Sequence, residues 1–178
     1  MDFPLRPRDV FEELRKSVVG QDDAIRELSV ALVKHLVGHP APNILLIGNS
    51  GSGKTTLMRA VEQFLSNAPG LGDYANVVRM NANVLAEEHS GYGRSVLTRL
   101  YENARRKLGA NADMDRVVKA VEHGIVFIDE VDKIRAQVSG AASVRGIVAQ
   151  EALLTLMENE AVTFNADGFE HVVNSSGI

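Results

Sequence analysis

The chain has no cysteine among its 178 residues. Disulfides, cysteine-ligated zinc and thiol nucleophiles are therefore excluded, a pattern expected of a reducing compartment though not restricted to one. No apolar run approaches the ~18 residues of a membrane-spanning helix. The opening Met1-Asp2-Phe3-Pro4-Leu5-Arg6 lacks the basic-then-apolar order of a secretory signal. Together these absences point to a cytoplasmic protein with no membrane partner. Positive charge is not in excess, since 19 Lys+Arg against 23 Asp+Glu leave a net charge of −4. That balance argues against a general basic coat for nucleic acid and leaves a local basic groove open. Internal repeats, low-complexity tracts and coiled-coil heptads are also missing.

What is present is ordinary for a folded chain: 45% apolar and 24% charged residues, enough to bury a core. The length leaves room for one compact domain. After a lead-in with a short amphipathic run over residues 10–14, the apolar positions Ile25, Leu28, Ala31, Leu32 and Leu36 recur at helical spacing. Acids open this stretch, and Gly38 and Pro40 close it, so the spacing predicts a helix over residues 22–37. The unbroken run Ile44-Leu45-Leu46-Ile47 reads as a strand buried on both faces, followed by a helix over residues 54–65. Residues 77–80 read as a second strand, Ser95 as the cap of a helix with Leu97, Leu100, Tyr101, Ala104 and Leu108 inward, and residues 125–128 as another buried strand. A Ser/Gly/Ala-rich loop over residues 137–146 leads to a helix over 147–157, and Asp167-Gly168 marks a hairpin. Strands alternating with helices predict an α/β layer fold with a mainly parallel sheet.

Directly after the first apolar run stands Gly48-Asn49-Ser50-Gly51-Ser52-Gly53-Lys54-Thr55, a full match to the phosphate-binding loop. Its strand–loop–helix context is what the chemistry needs. Glycines let successive N–H groups turn toward an anion, and the following helix adds its positive end. Lys54 can reach the β- and γ-phosphates of a nucleotide, and the Thr55 hydroxyl can ligate Mg²⁺. The bland alternative is a chance glycine-rich turn before a helix. The run over residues 125–128 ends at Asp129-Glu130, two adjacent carboxylates at the C-terminal end of a strand, where open α/β sheets place ligands. One of them can hold hydrated Mg²⁺ and the other can orient and deprotonate an attacking water. The alternative is a strand that simply ends in solvent.

At this point the sequence resembles the AAA+ ATPases, and within them the ClpX and HslU group of protein unfoldases. Residues 18–24, including Val19 and Gly20, look like that group's adenine-side segment. Residues 43–55 look like its Walker A strand and loop, and residues 124–134, with the telling pair Asp132-Lys133, look like its extended Walker B. The helix that includes residues 150–158 resembles the one following Walker B, although an ordinary packing helix would read the same. The resemblance implies a P-loop NTPase fold, a parallel sheet flanked by helices, divided into a lead-in with the adenine-side helix (1–42) and a nucleotide-binding core (43–178). It implies ATP and Mg²⁺ as cofactors, with Val19, Gly20, Gly48, Asn49, Ser50, Gly51, Ser52, Gly53, Lys54, Thr55 and Thr56 around the nucleotide. Thr55 and Asp129 would serve the metal, and Lys54 and Glu130 would be catalytic. It further implies a homohexameric ring acting on protein substrates, with a protease as a partner.

Ser90-Gly91-Tyr92-Gly93-Arg94 falls where the group carries a pore loop that grips polypeptide, but Gly-Tyr-Gly-Arg replaces Gly-Tyr-Val-Gly. Tyr92 reads either as that gripping aromatic or as a packed residue of a surface turn. These 178 residues hold no cysteine for the Cys-rich zinc domain of ClpX, and residues 162–174 lack its Arg-Lys-His loop. Ser175-Ser176-Gly177-Ile178 looks like the approach to the group's central sensor strand, so the chain reads as an incomplete large subdomain, expected to hydrolyse ATP weakly by itself. Two other classes stay open. Arg99, Arg105, Arg106 and Lys107 would suit a nucleic-acid motor, and a nucleotide-gated assembly module would bind ATP without turnover. His35 and His39 stand four apart, but Gly38 and Pro40 break the helix that would align them on a metal.

Overall fold

The computed structural model describes residues 5–39, 41–68, 70–71, 75–82, 85, 94–109, 111–135, 137–138, 141–158, 161–175 and 178. The chain packs as two compact units, Met1–Ala75 and Asn76–Ile178, each with its own core. The sequence division at 42/43 lies inside the first.

The first unit is helical: α1 (Pro7–Arg15), α2 (Asp22–Leu36) and α3 (Lys54–Asn67). Helix α1 starts where Pro7 supplies a preset φ and Asp9 accepts from the Arg6 backbone N–H at 3.2 Å. It packs on α2 and α3, and Val10 and Leu14 are buried, as are Ile25 and Leu32 of α2 and Leu57, Val61 and Leu65 of α3. Side chains of this size stabilise by about 1.5–3 kcal/mol each when fully buried. Among the described residues of this unit the one buried polar side chain, Ser29, is satisfied by donating to the Ile25 carbonyl at 2.6 Å.

One expectation fails in this unit. Residues 44–47 do not form a buried strand: they carry no strand assignment, and Leu45 and Ile47 are 72% and 87% exposed. A strand exists only through hydrogen bonds to a neighbour, and among the described residues the first unit contains no other strand for this run to join.

In the second unit, β1 (Val77–Asn81) pairs in parallel with β2 (Ile125–Asp129), in a register that sets Val77 opposite Ile125 and Asn81 opposite Asp129. The α/β class with a parallel sheet is thus present. Strand β2 is half-buried along its whole length instead of fully covered, because among the described residues only one of its edges has a strand neighbour. Helix α4 (Arg94–Leu108) lies against β1, buries Leu97, Leu100, Tyr101 and Ala104, and begins ahead of Ser95, which is therefore not its cap.

Helix α5 (Met114–Glu122), which the periodicity left unassigned, packs Val117, Ala120 and Val121 on α4. Short strands β3 (Gln137–Val138) and β4 (Ala141–Ala142) punctuate the small-residue loop, and α6 (Val144–Met157) starts earlier than expected, capped by the Ser143 hydroxyl. The hairpin of β5 (Ala161–Ala166) and β6 (Phe169–Asn174) forms as predicted. Asp167 (φ 51°) and Gly168 (φ 80°) take the left-handed values of its two-residue turn.

Buried polar groups tie these layers together. Asn76 donates to the carbonyls of Leu100 (3.1 Å) and Ala120 (2.8 Å) and accepts from Asn103 (2.9 Å), joining α4, α5 and the start of β1. A Cβ on Gly124 would stand 2.6 Å from Leu100 Cδ2 and 3.0 Å from the Val121 carbonyl, so only glycine lets the chain enter β2 beneath α4. No helix among the described residues is long and apolar enough to cross a membrane.

Candidate functional site

The phosphate loop closes directly onto α3. Gly51 (φ 82°) and Gly53 (φ 93°) hold left-handed backbone, which L side chains rarely adopt, and a Cβ on Gly48 would meet Ser52 Oγ at 2.6 Å. The Ser52 N–H donates to the Asn49 carbonyl at 3.1 Å, tightening the turn. Lys54, the first residue of α3, folds its ammonium back onto the carbonyls of Gly48 (2.6 Å) and Asn49 (2.9 Å). The cation thus sits over the loop it follows, at a helix N-terminus whose first turn carries no acid. Thr55 is half-buried, and Asn49, Ser50 and Thr56 are exposed.

The residues read as the adenine-side segment lie in the same unit. Val19 is 90% exposed, Gly20 turns with φ 77°, and residues 20–24 line an open cavity of about 330 Å³. From the start of α2, Gln21 Nε2 donates to the Ser52 carbonyl at 2.9 Å. Gln21 stands in a segment that sequence reasoning singled out, but only the fold reveals its reach to the loop.

In the second unit the end of β2 presents the two carboxylates. Asp129 Oδ1 accepts from the Glu130 backbone N–H at 2.9 Å. Glu130 occupies left-handed backbone (φ 60°), uncommon for a residue with a side chain, and starts a single 3₁₀ turn over Val131–Lys133. Its carboxylate is held at both oxygens, by Lys133 Nζ on Oε1 and by Asn81 Nδ2 on Oε2. The Lys133 ammonium, and then the Asn81 amide, hold Glu130 below the usual carboxylate range, and Glu130 in turn raises Lys133. Asn81 was not foreseen. Its one signal in the sequence is a polar residue closing a strand, and only the β1–β2 register brings it to the carboxylates.

Hard oxygen donors such as the Thr55 hydroxyl and the Asp129 carboxylate suit Mg²⁺. Among the described residues no group of three or more His, Cys, Asp or Glu is placed to hold a metal. Tyr92 lies outside the described residues. Two basic side chains of α4 pair within their own unit. Arg105 pairs with Asp167 at 3.6 Å, Arg106 donates to Asn103 at 2.6 Å, and Lys107 also has a partner.

Residues 44–172 match the family model described as "ATPase family associated with various cellular activities (AAA)". The chain is also similar to proteins named "ATP-dependent Clp protease ATP-binding subunit ClpX". The one from Porphyromonas gingivalis is 34% identical over 185 aligned residues, covering 94% of this chain and 40% of that protein. The one from Treponema denticola is 34% identical over 177, covering 91% and 39%. The one from Bacteroides thetaiotaomicron is 32% identical over 181, covering 92% and 39%. The chain thus spans about 40% of the length of the curated relatives it matches. A phosphate loop running into α3, a strand ending in Asp129-Glu130 and a family match over residues 44–172 agree: the chain belongs to the AAA family of ATPases.

Proposed function

We propose that this chain is the nucleotide-binding core of a motor that hydrolyses ATP with Mg²⁺ and uses the energy to unfold or remodel proteins. Residues 1–42 serve as lead-in and base-side helix, and residues 43–178 as the nucleotide-binding body. The observation that carries the reading is the glycine-built loop with Lys54 poised over it at the start of α3.

Each residue then has a task. Val19 and Gly20 border the base. The N–H groups of residues 48–56 bind the phosphates, and Lys54 leaves its two loop carbonyls to meet the β- and γ-phosphates. Thr55 and Asp129 would each offer Mg²⁺ an oxygen ligand, and the ion would supply neutralisation of charge on the phosphate oxygens. Glu130 orients a water and accepts its proton, which requires the carboxylate to be ionised, the state that Lys133 and Asn81 favour.

The relatives' name, ATP-binding subunit of a Clp protease, favours a protease as the partner, and the resemblance to the unfoldase group supports protein as the polymer and a homohexameric ring as the assembly. Tyr92 is proposed as the residue that grips substrate. The internal pairing of Arg105 and Arg106 weighs against nucleic acid. ATPase activity of the full-length protein, measured with and without an unfolded protein or DNA, tests the reading. Stimulation by the unfolded protein supports it, and stimulation by DNA alone overturns the choice of substrate.

A further inference from the structure

We propose that Gln21 is a positioning residue that couples the base-side segment to the phosphate loop, so that ATP is held as one ligand and not as a base and a triphosphate separately. The proposal rests on reading the loop as a nucleotide site.

In a loop whose N–H groups converge on an anion, the carbonyls are turned away, and each needs a donor from elsewhere. The Ser52 carbonyl, on a half-buried residue in the middle of the loop, receives its donor from Gln21 Nε2 at 2.9 Å, across 31 residues of sequence. Gln21 sits at the N-cap of α2, where a polar side chain normally bonds to its own helix. Here no side-chain cap bond forms, and the amide goes to the loop instead. Its backbone is nevertheless fixed, because its carbonyl accepts from the Ile25 N–H at 2.9 Å. A strut anchored at one end in α2 therefore reaches the phosphate loop at the other. On its N-terminal side come Gly20, turning with positive φ, and then the exposed Val19.

Among the described residues two side chains hold the loop by its carbonyls, and they differ in how they would respond to phosphate. The Lys54 ammonium is a cation that phosphate draws away from Gly48 and Asn49. The Gln21 amide is neutral and bonds a carbonyl, so it stays and keeps the loop registered to the segment bearing Val19 and Gly20.

The test is calorimetric binding of ATP and of inorganic triphosphate to the full-length protein, wild type against Gln21→Met, which keeps length and removes the donor. Losing one such hydrogen bond should weaken ATP by about fivefold. Triphosphate should change by less than about twofold, which also shows that the variant folds. ATP binding unchanged, or both ligands weakened alike, overturns the coupling while leaving the nucleotide site standing. A wild-type protein that binds neither ligand overturns the site and the coupling with it.

Discussion

Asn81, the last residue of β1, donates its side-chain amide to Oε2 of Glu130, the residue that follows β2. Parallel pairing makes this reach possible, because Asn81 lies directly opposite Asp129. With Lys133 on the other oxygen, the proposed base is fixed in direction and kept ionised. Small errors in the placement of a reacting group are costly to rate, up to about a hundredfold for 1 Å. Asn81→Ala is therefore expected to lower the kcat for ATP by about tenfold or more while leaving ATP affinity near wild type, as steady-state kinetics and equilibrium binding would report.

Lys54 gives a second, separable expectation. Its ammonium satisfies the carbonyls of Gly48 and Asn49, on the loop proposed to bind phosphate. Lys54→Ala should cut ATP affinity by on the order of a hundredfold, in the range of two charge-assisted hydrogen bonds. Titration calorimetry would measure the loss, and unchanged affinity would remove Lys54 from the site.

Tyr101 offers a test of the fold. Its hydroxyl donates to Asp167 at 2.7 Å, and its ring packs edge-on against Phe164 with centroids 5.7 Å apart, pinning the hairpin to α4. Tyr101→Phe should cost about 1 kcal/mol, the net worth of one hydrogen bond, because Arg105 remains near Asp167. Burial, and then the bond to Asp167, push the phenol above its ordinary value of about 10. A folded value above the unfolded one means that the stabilisation is complete below about pH 10 and is lost as pH rises through the folded value. Urea midpoints across that range should fall for the wild type and fall less for Tyr101→Phe.

Gly124→Ala should destabilise the second unit by about 1–3 kcal/mol, the usual penalty for overpacking. The added Cβ meets Leu100 Cδ2 at 2.6 Å and the Val121 carbonyl at 3.0 Å, and the carbonyl belongs to a backbone that cannot turn aside. A shift of the urea midpoint reads this directly.

The phosphate loop was legible in the sequence because its glycines, lysine and threonine are contiguous, and their chemistry fixes their spacing. Asp129-Glu130 was legible for the same reason. Gln21 on Ser52 and Asn81 on Glu130 were not, since each bond is a product of packing between segments 31 and 49 positions apart. The run Ile44, Leu45, Leu46 and Ile47 marks the opposite limit. Apolar composition records a demand for cover but does not name the neighbour that meets it, and here the run stays largely exposed. Helix α5 escaped notice because only Val117, Ala120 and Val121 carry its buried stripe, and Asp113 ahead of it makes no side-chain cap.

At the proposed ATP-hydrolysing site Glu130 activates water. ATP binding and turnover by the full-length protein, wild type against Glu130→Gln, test it most directly. Glu130→Gln should bind ATP as tightly as wild type but lose at least about a hundredfold in turnover, the scale of general-base catalysis. Turnover at the wild-type rate in Glu130→Gln would contradict it.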